Sequence, residues 1–142
     1  MNLNEHVQSI FEAVREPLGL DRWQIRLGAE KLEDSRAACI AQPEYREADL
    51  YFDAEKIKTG DDLAELTVHE MAHCHTFELH SLAEELADAL AESAPESHRE
   101  SLRKLFHEKV RQAGERCTTD VGHTYLRLLR RAGILDNPPV GN

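Results

Sequence analysis

Leu66-Thr67-Val68-His69-Glu70-Met71-Ala72-His73 is the stretch from which the rest of this chain can be read. It carries His-Glu-x-x-His inside a segment whose apolar residues keep a helical period. Leu63, Ala64, Leu66, Val68, Met71 and Ala72 are spread around much of that helix, the mark of a buried helix. Residues four apart lie on one face, one turn from each other, so both imidazoles can reach a single cation. Imidazole nitrogen suits Zn²⁺, and two histidines leave room for a third protein ligand and a water. Glu70 is rotated about 100° from His69 around the axis. It is poorly placed to bind the same ion but able to hydrogen-bond a water that the ion holds. The metal lowers the pKa of that water. Glu70 is then the expected general base, accepting the proton and passing it to a leaving amine. Composition alone would produce the motif roughly 0.06 times in such a chain, so its context must add weight. It does: the motif sits on a buried helix that follows strands. Three polar side chains on an apolar helix would also cost several kcal/mol if left unpaired.

Upstream of the motif the period is two. Leu50 and Phe52 alternate with Asp49, Tyr51 and Asp53, which predicts a strand. Ala37–Ala41 is a weaker strand, and Trp23, Ile25 and Leu27 mark another. The polar stretch from Gln42 to Ala48 reads as the turn between the second and third. Residues 4–15 place Val7, Ile10, Phe11 and Val14 on one helical face, ended by Pro17 and Gly19. Thr59-Gly60-Asp61-Asp62 looks like a capping-box start for the motif helix. Downstream, the spacing predicts helices over 82–92, stopping near Pro95, over 99–113, and over 115–132, with Gly114 breaking or kinking the run. Asp136–Asn142 reads as a disordered tail. The expectation is one α+β domain over residues 1–135.

The chain has 142 residues, with 17 basic against 27 acidic side chains and a formal charge of −10. That charge repels nucleic acid and anionic membranes, so neither is an expected partner. No apolar run is long enough to span a bilayer. The N-terminal Met1–Pro17 segment lacks an apolar signal core. Cys39, Cys74 and Cys117 are an odd, widely spaced set, read as reduced thiols in a cytoplasmic protein. Charge is uneven among the helices. Residues 78–100 hold seven acids against Arg99, whereas residues 102–131 hold eight bases against Glu108, Glu115 and Asp120. The simplest expectation is that the two stretches pair with each other or are solvated. A basic groove for nucleic acid is the alternative.

The chain resembles the zincin metallopeptidases, and more narrowly the minimal gluzincin-like metallopeptidases found in bacteriophage and prophage sequences. The pattern runs through about residues 20–131. It includes Trp23-x-Ile25, Leu50-Tyr51-Phe52-Asp53, then Leu66-Thr67-Val68-His69-Glu70-Met71-Ala72-His73, with further helices and a glutamate opening the last one. Only His-Glu-x-x-His is a specific motif. The resemblance implies a zincin-like fold with a three-stranded sheet packed on the motif helix. It also implies a third metal ligand, a glutamate on a downstream helix, which selects Glu115. Gly114 would let the backbone approach there, and a carboxylate cancels one unit of the ion's charge. Asp120 and Glu108 are alternatives. A histidine third ligand, as in SprT-like proteases, would have to be His98 or His80, but the His-Gly-x-x-Phe signature of that group is absent.

The implied activity is zinc-dependent hydrolysis of peptide bonds in a peptide or protein, with His69, His73 and Glu115 on the metal and Glu70 as base. Two other readings are a zincin-like metal-binding or interaction module with little turnover, and a DNA-associated protease of the SprT kind. His75 and His80 are expected to be structural or solvated, and Cys74 to be a small core residue. His123 or Tyr125 is a candidate oxyanion donor, with Tyr45 and Tyr51 less favoured and Tyr125 better suited to the core. A sheet edge over Ala48–Asp53 is a candidate for aligning an extended peptide by strand addition. Substrate identity and oligomeric state are left open.

Overall fold

The computed structural model describes residues 2–58 and 61–136. Asn2 opens the first helix, α1 (Leu3–Arg15), through a capping box. Its Oδ1 accepts from the Glu5 N–H at 2.9 Å, and its own N–H donates to Glu5 Oε2 at 3.0 Å. Two donors that the first turn leaves without helical partners are thereby satisfied. Val7, Ile10, Phe11 and Val14 are the buried face, as the period requires.

Three strands follow, β1 (Gln24–Ala29), β2 (Ala37–Gln42) and β3 (Glu47–Phe52). The sheet order is β1-β3-β2, so β3 is the central strand. It runs parallel to β1, from Gln24 opposite Glu47 to Ala29 opposite Phe52. It runs antiparallel to β2, from Ala37 opposite Phe52 to Gln42 opposite Glu47. Ala48, Leu50 and Phe52 are buried while their neighbours are half-exposed, the alternation of a strand with one face on the core. Arg46 closes the β2–β3 turn with φ of 53°.

The motif lies on α2 (Leu63–Glu92), which is followed by α3 (Glu96–Arg131). Asp62 caps α2, accepting from the Glu65 N–H at 3.0 Å. Leu20, Leu50, Met71, Val14 and Val68 form the driest part of a core shared by α1, the sheet and the base of the α2–α3 pair. Among the described residues the architecture is α+β, with three helices and a small mixed sheet. No described helix is long and apolar enough to cross a membrane.

Three helical expectations change. Residues 77–81 contain no glycine or proline, and the motif helix continues through them into the expected 82–92 helix. Gly114 does not break α3 either, so the C-terminal helices are one. A helical glycine costs about 1 kcal/mol relative to alanine, but here it makes room: a Cβ on Gly114 would lie 2.4 Å from His80 Nδ1. The cap at the start of α2 is Asp62, while Thr59 and Gly60 lie outside the described residues. So does the expected tail beyond Asp136. The uneven charge is paired between the helices only in part, and Lys104, Lys109, Arg116 and Arg127 are exposed. Arg99 meets Glu92 at 3.3 Å, and Arg103 meets Asp88 at 3.3 Å and Glu92 at 3.1 Å.

Candidate metal centre

The helical period brings His69 and His73 together on the α2 face that meets α3. Their ring centroids are 5.1 Å apart, at an interplanar angle of 85°. What closes the triangle is α3. Glu115 Oε2 lies 3.8 Å from His69 Nε2, and Glu115 Oε1 lies 3.8 Å from His73 Nε2. One ligand atom from each of the three residues falls within 4.8 Å of the others, the one such group among the described residues.

Two residues on α3 set this approach. Gly122 packs against the backbone of His69, where a Cβ would come 3.3 Å from His69 Cα. Thr118 is fully buried. Its hydroxyl shares a 2.7 Å hydrogen bond with Thr76 Oγ1 and lies 3.5 Å from His73 Nδ1. Thr76 can in turn donate to the Ala72 carbonyl at 3.4 Å. One direction of donation satisfies the whole relay: Nδ1–H to Thr118, Thr118 to Thr76, Thr76 to Ala72. It leaves the lone pair of His73 Nε2 aimed at the ligand side, the usual role of a second hydrogen bond on a metal-binding histidine.

The electrostatics suit ligation. Burial pulls the pKa of both His69 and His73 down, against the opposing pull of Glu115, which favours the neutral imidazole that a metal needs. Glu70 is 6% exposed, and its Oε2 is 4.0 Å from His73 Nε2. Burial, with the Glu115 charge adding to it, pushes its carboxyl up to about 7. A carboxyl so placed is chemically able both to take and to release a proton.

The group opens into a cavity of about 950 Å³ between α2, α3 and β2. Ala37, Ala38 and Cys39 line its sheet side, with the preceding loop residues 34–36 beside them. Asp53 tethers that loop. Its carboxylate accepts from the Leu32 N–H at 3.0 Å and the Glu55 N–H at 3.1 Å. Its own N–H donates to the Arg36 carbonyl at 2.9 Å. Those backbone donors, the Leu32 N–H foremost, hold its carboxyl below the usual range despite burial.

The expected strand-addition edge over Ala48–Asp53 is therefore a correction. β3 is paired on both sides, and the edge beside the cavity is β2. The central position of β3 follows from nonlocal pairing, which alternation along one strand does not reveal.

The other candidates fall outside the His69–His73–Glu115 group. Glu108 is held by Arg111 at 2.8 Å and by Gln112 at 2.7 Å. Asp120 is exposed and outside the cavity lining. His98 shares a hydrogen bond with Ser97 near the α2–α3 turn. His80 lines the cavity beside Gly114 and faces Glu84 at 3.3 Å. His75 has a structural partner, the Leu18 carbonyl at 2.7 Å. Tyr125 packs on His75 at 5.9 Å between ring centroids, away from the ligands. His123 lines the cavity and pairs with Glu65 at 3.0 Å. Tyr45 is exposed in the β2–β3 turn, and Tyr51 covers Gly28 on the sheet. Cys74 is buried, and the half-buried Cys39 has its thiol pushed up by the neighbouring Cys74 and by burial. Sequence reasoning missed Thr118, Gly122 and Thr76. The signal was available: Glu115, Thr118 and Gly122 are spaced three and four apart, one face of a helix.

No protein-family model, no curated protein and no solved structure gives a significant match to the chain.

Proposed function

We propose that this chain is a zinc-dependent metallopeptidase of the zincin type, gluzincin-like in its ligand set, acting on peptide or protein substrates. The observation that carries the reading is the convergence of His69, His73 and Glu115 within 4.8 Å of one another beside a buried Glu70 carboxyl. The donor set fits: two neutral imidazoles and one carboxylate leave a coordination position open, as catalytic zinc sites do. Zinc held there would supply Lewis acidity, acidifying a water and polarising a substrate carbonyl. Glu70 accepts the proton of the attacking water and returns it to the leaving amine. Thr118 keeps His73 in the ligating tautomer. The edge of β2 along Ala37–Cys39 offers backbone groups to an extended peptide lying in the cavity, a mode that reads main chain more than side chains.

The test uses the full chain. Wild type is expected to carry one zinc per chain and to cleave an unstructured protein substrate. Glu70→Gln is expected to keep the zinc and lose cleavage. Equal cleavage by the two proteins would refute the role of Glu70. Zinc in both, with cleavage in neither across a broad peptide library, would turn the reading to a metal-holding module.

A further inference from the structure

Beyond the core, α2 and α3 continue as a bare antiparallel pair, and one of its faces is apolar. Leu79, Leu82, Leu86 and Leu90 are 68, 53, 57 and 60% exposed. At 100° per residue they fall, with Val68, Ala72 and His75, within an arc of about 80° on α2. This is one seam along the whole helix. In its first half α1 and the Leu18 turn cover it: Val68 is fully buried and His75 reaches the Leu18 carbonyl. From Leu79 onward nothing in the described chain does. The spacing of three, four and four is that of a helix-packing seam. The opposite flank of the pair is polar, where His107 meets Asp88 at 2.7 Å and Arg103 meets Glu92 at 3.1 Å.

We infer that this face binds a second copy of the chain, with the two α2 helices antiparallel. Three observations select that occupant. A two-fold interface must map onto itself, and this stripe does: the pairs Leu79–Leu90 and Leu82–Leu86 share one midpoint, near residue 84. Antiparallel packing is also what α1 permits. It occupies the same face at the base of α2, so a copy running the same way would collide with it. A reversed copy ends its α2 where α1 begins. The area is sufficient. The four leucines expose on the order of 400 Å² per copy, more than scattered surface leucines leave. With the half-buried Leu102 and Phe106 of α3 added, two copies would bury about 1,000 Å² in total, the floor for a biological interface and the size of a weak, reversible one. The inference is independent of the metal and of catalysis.

Sedimentation equilibrium of the full chain between 1 and ~100 μM tests it, a range that brackets the affinity of a small interface. Wild type is expected to reach twice its 16.1 kDa mass. The Leu82→Glu/Leu86→Glu double variant is expected to stay monomeric with an unchanged helical circular-dichroism signal. Leu79→Cys and Leu90→Cys, each in a Cys117→Ser background, are expected to crosslink when mixed and not separately. A wild type that remains monomeric throughout, a dimer that survives both glutamates, or crosslinking of each cysteine variant with itself alone would overturn it.

Discussion

Thr118, wholly buried on α3, stands 3.5 Å from Nδ1 of His73 on α2, and the two are 45 positions apart in the chain. A hydroxyl that accepts from Nδ1–H at that point leaves the Nε2 lone pair towards Glu115. Thr118→Val keeps the shape and removes the acceptor. Losing such a partner weakens metal binding by about 10–100-fold. Competition with a chelating dye is expected to show that loss for Thr118→Val and near-normal affinity for Thr118→Ser. Equal affinity for the valine variant would mean that the hydroxyl does not orient the ring.

Glu115 is the only one of the three acidic candidates that reaches both imidazoles. Elemental analysis after dialysis is expected to find zinc lost from Glu115→Ala. Stoichiometric zinc is expected in Asp120→Ala and Glu108→Ala. Asp120 lies about 140° around α3 from Glu115, and Glu108 is engaged by Arg111. Retention of zinc by the Glu115 variant would remove it from the ligand set.

The two glycines of α3 should respond differently to alanine. At Gly122 the Cβ meets backbone, His69 Cα at 3.3 Å, so the helices must separate slightly. Overpacking of this kind costs about 1–3 kcal/mol, and zinc affinity should fall with it. At Gly114 the clash is with the His80 ring, which is 24% exposed and can swing outward. The lost surface contact with Glu84 is worth less than about 1 kcal/mol. The gain in helix propensity is about as large. Urea denaturation should find Gly114→Ala within ~1 kcal/mol of wild type. A larger loss there than at Gly122 would contradict this account.

Asp62 links the cap of α2 to the end of α3. Burial works to raise its carboxyl. The hydrogen bond from Arg130 and the Glu65 N–H outweigh that and hold it below the usual range. A depressed folded-state pKa contributes stability that is fully present above the unfolded value and disappears as pH falls through the folded value. Asp62→Ala is therefore expected to cost about 1 kcal/mol near pH 7. The gap to wild type should close below about pH 4, where ordinary aspartates are protonated. A gap that stays constant down to pH 2 would show that the charge of Asp62 is not what stabilises the cap.

Much of this was readable from local pattern. Val7, Ile10, Phe11 and Val14 gave α1 because a helix buries every third or fourth residue. Leu50 and Phe52 gave β3 because a strand buries every second residue, though the strand starts earlier, at Glu47, and takes in Ala48. The same local rule placed His69 and His73 side by side and kept Glu70 off their axis. It failed at residues 77–81, where the apolar period lapses but no helix breaker stands, and at Gly114, where packing of α3 on α2 overrides the low propensity of glycine. It failed again at the edge of the sheet, because strand order depends on which segments meet, not on how any one of them alternates.

Local periodicity, then, settled the secondary structure that carries the motif, since side-chain direction along a helix or strand follows from the backbone repeat alone. Only the folded chain decided that Glu115 reaches His69 and His73, that Thr118 backs His73, that β2 rather than β3 borders the cavity, and that the leucines of α2 emerge uncovered beyond α1. Each of these is a meeting of segments distant in the sequence, and such meetings are chosen by how the buried faces fit together.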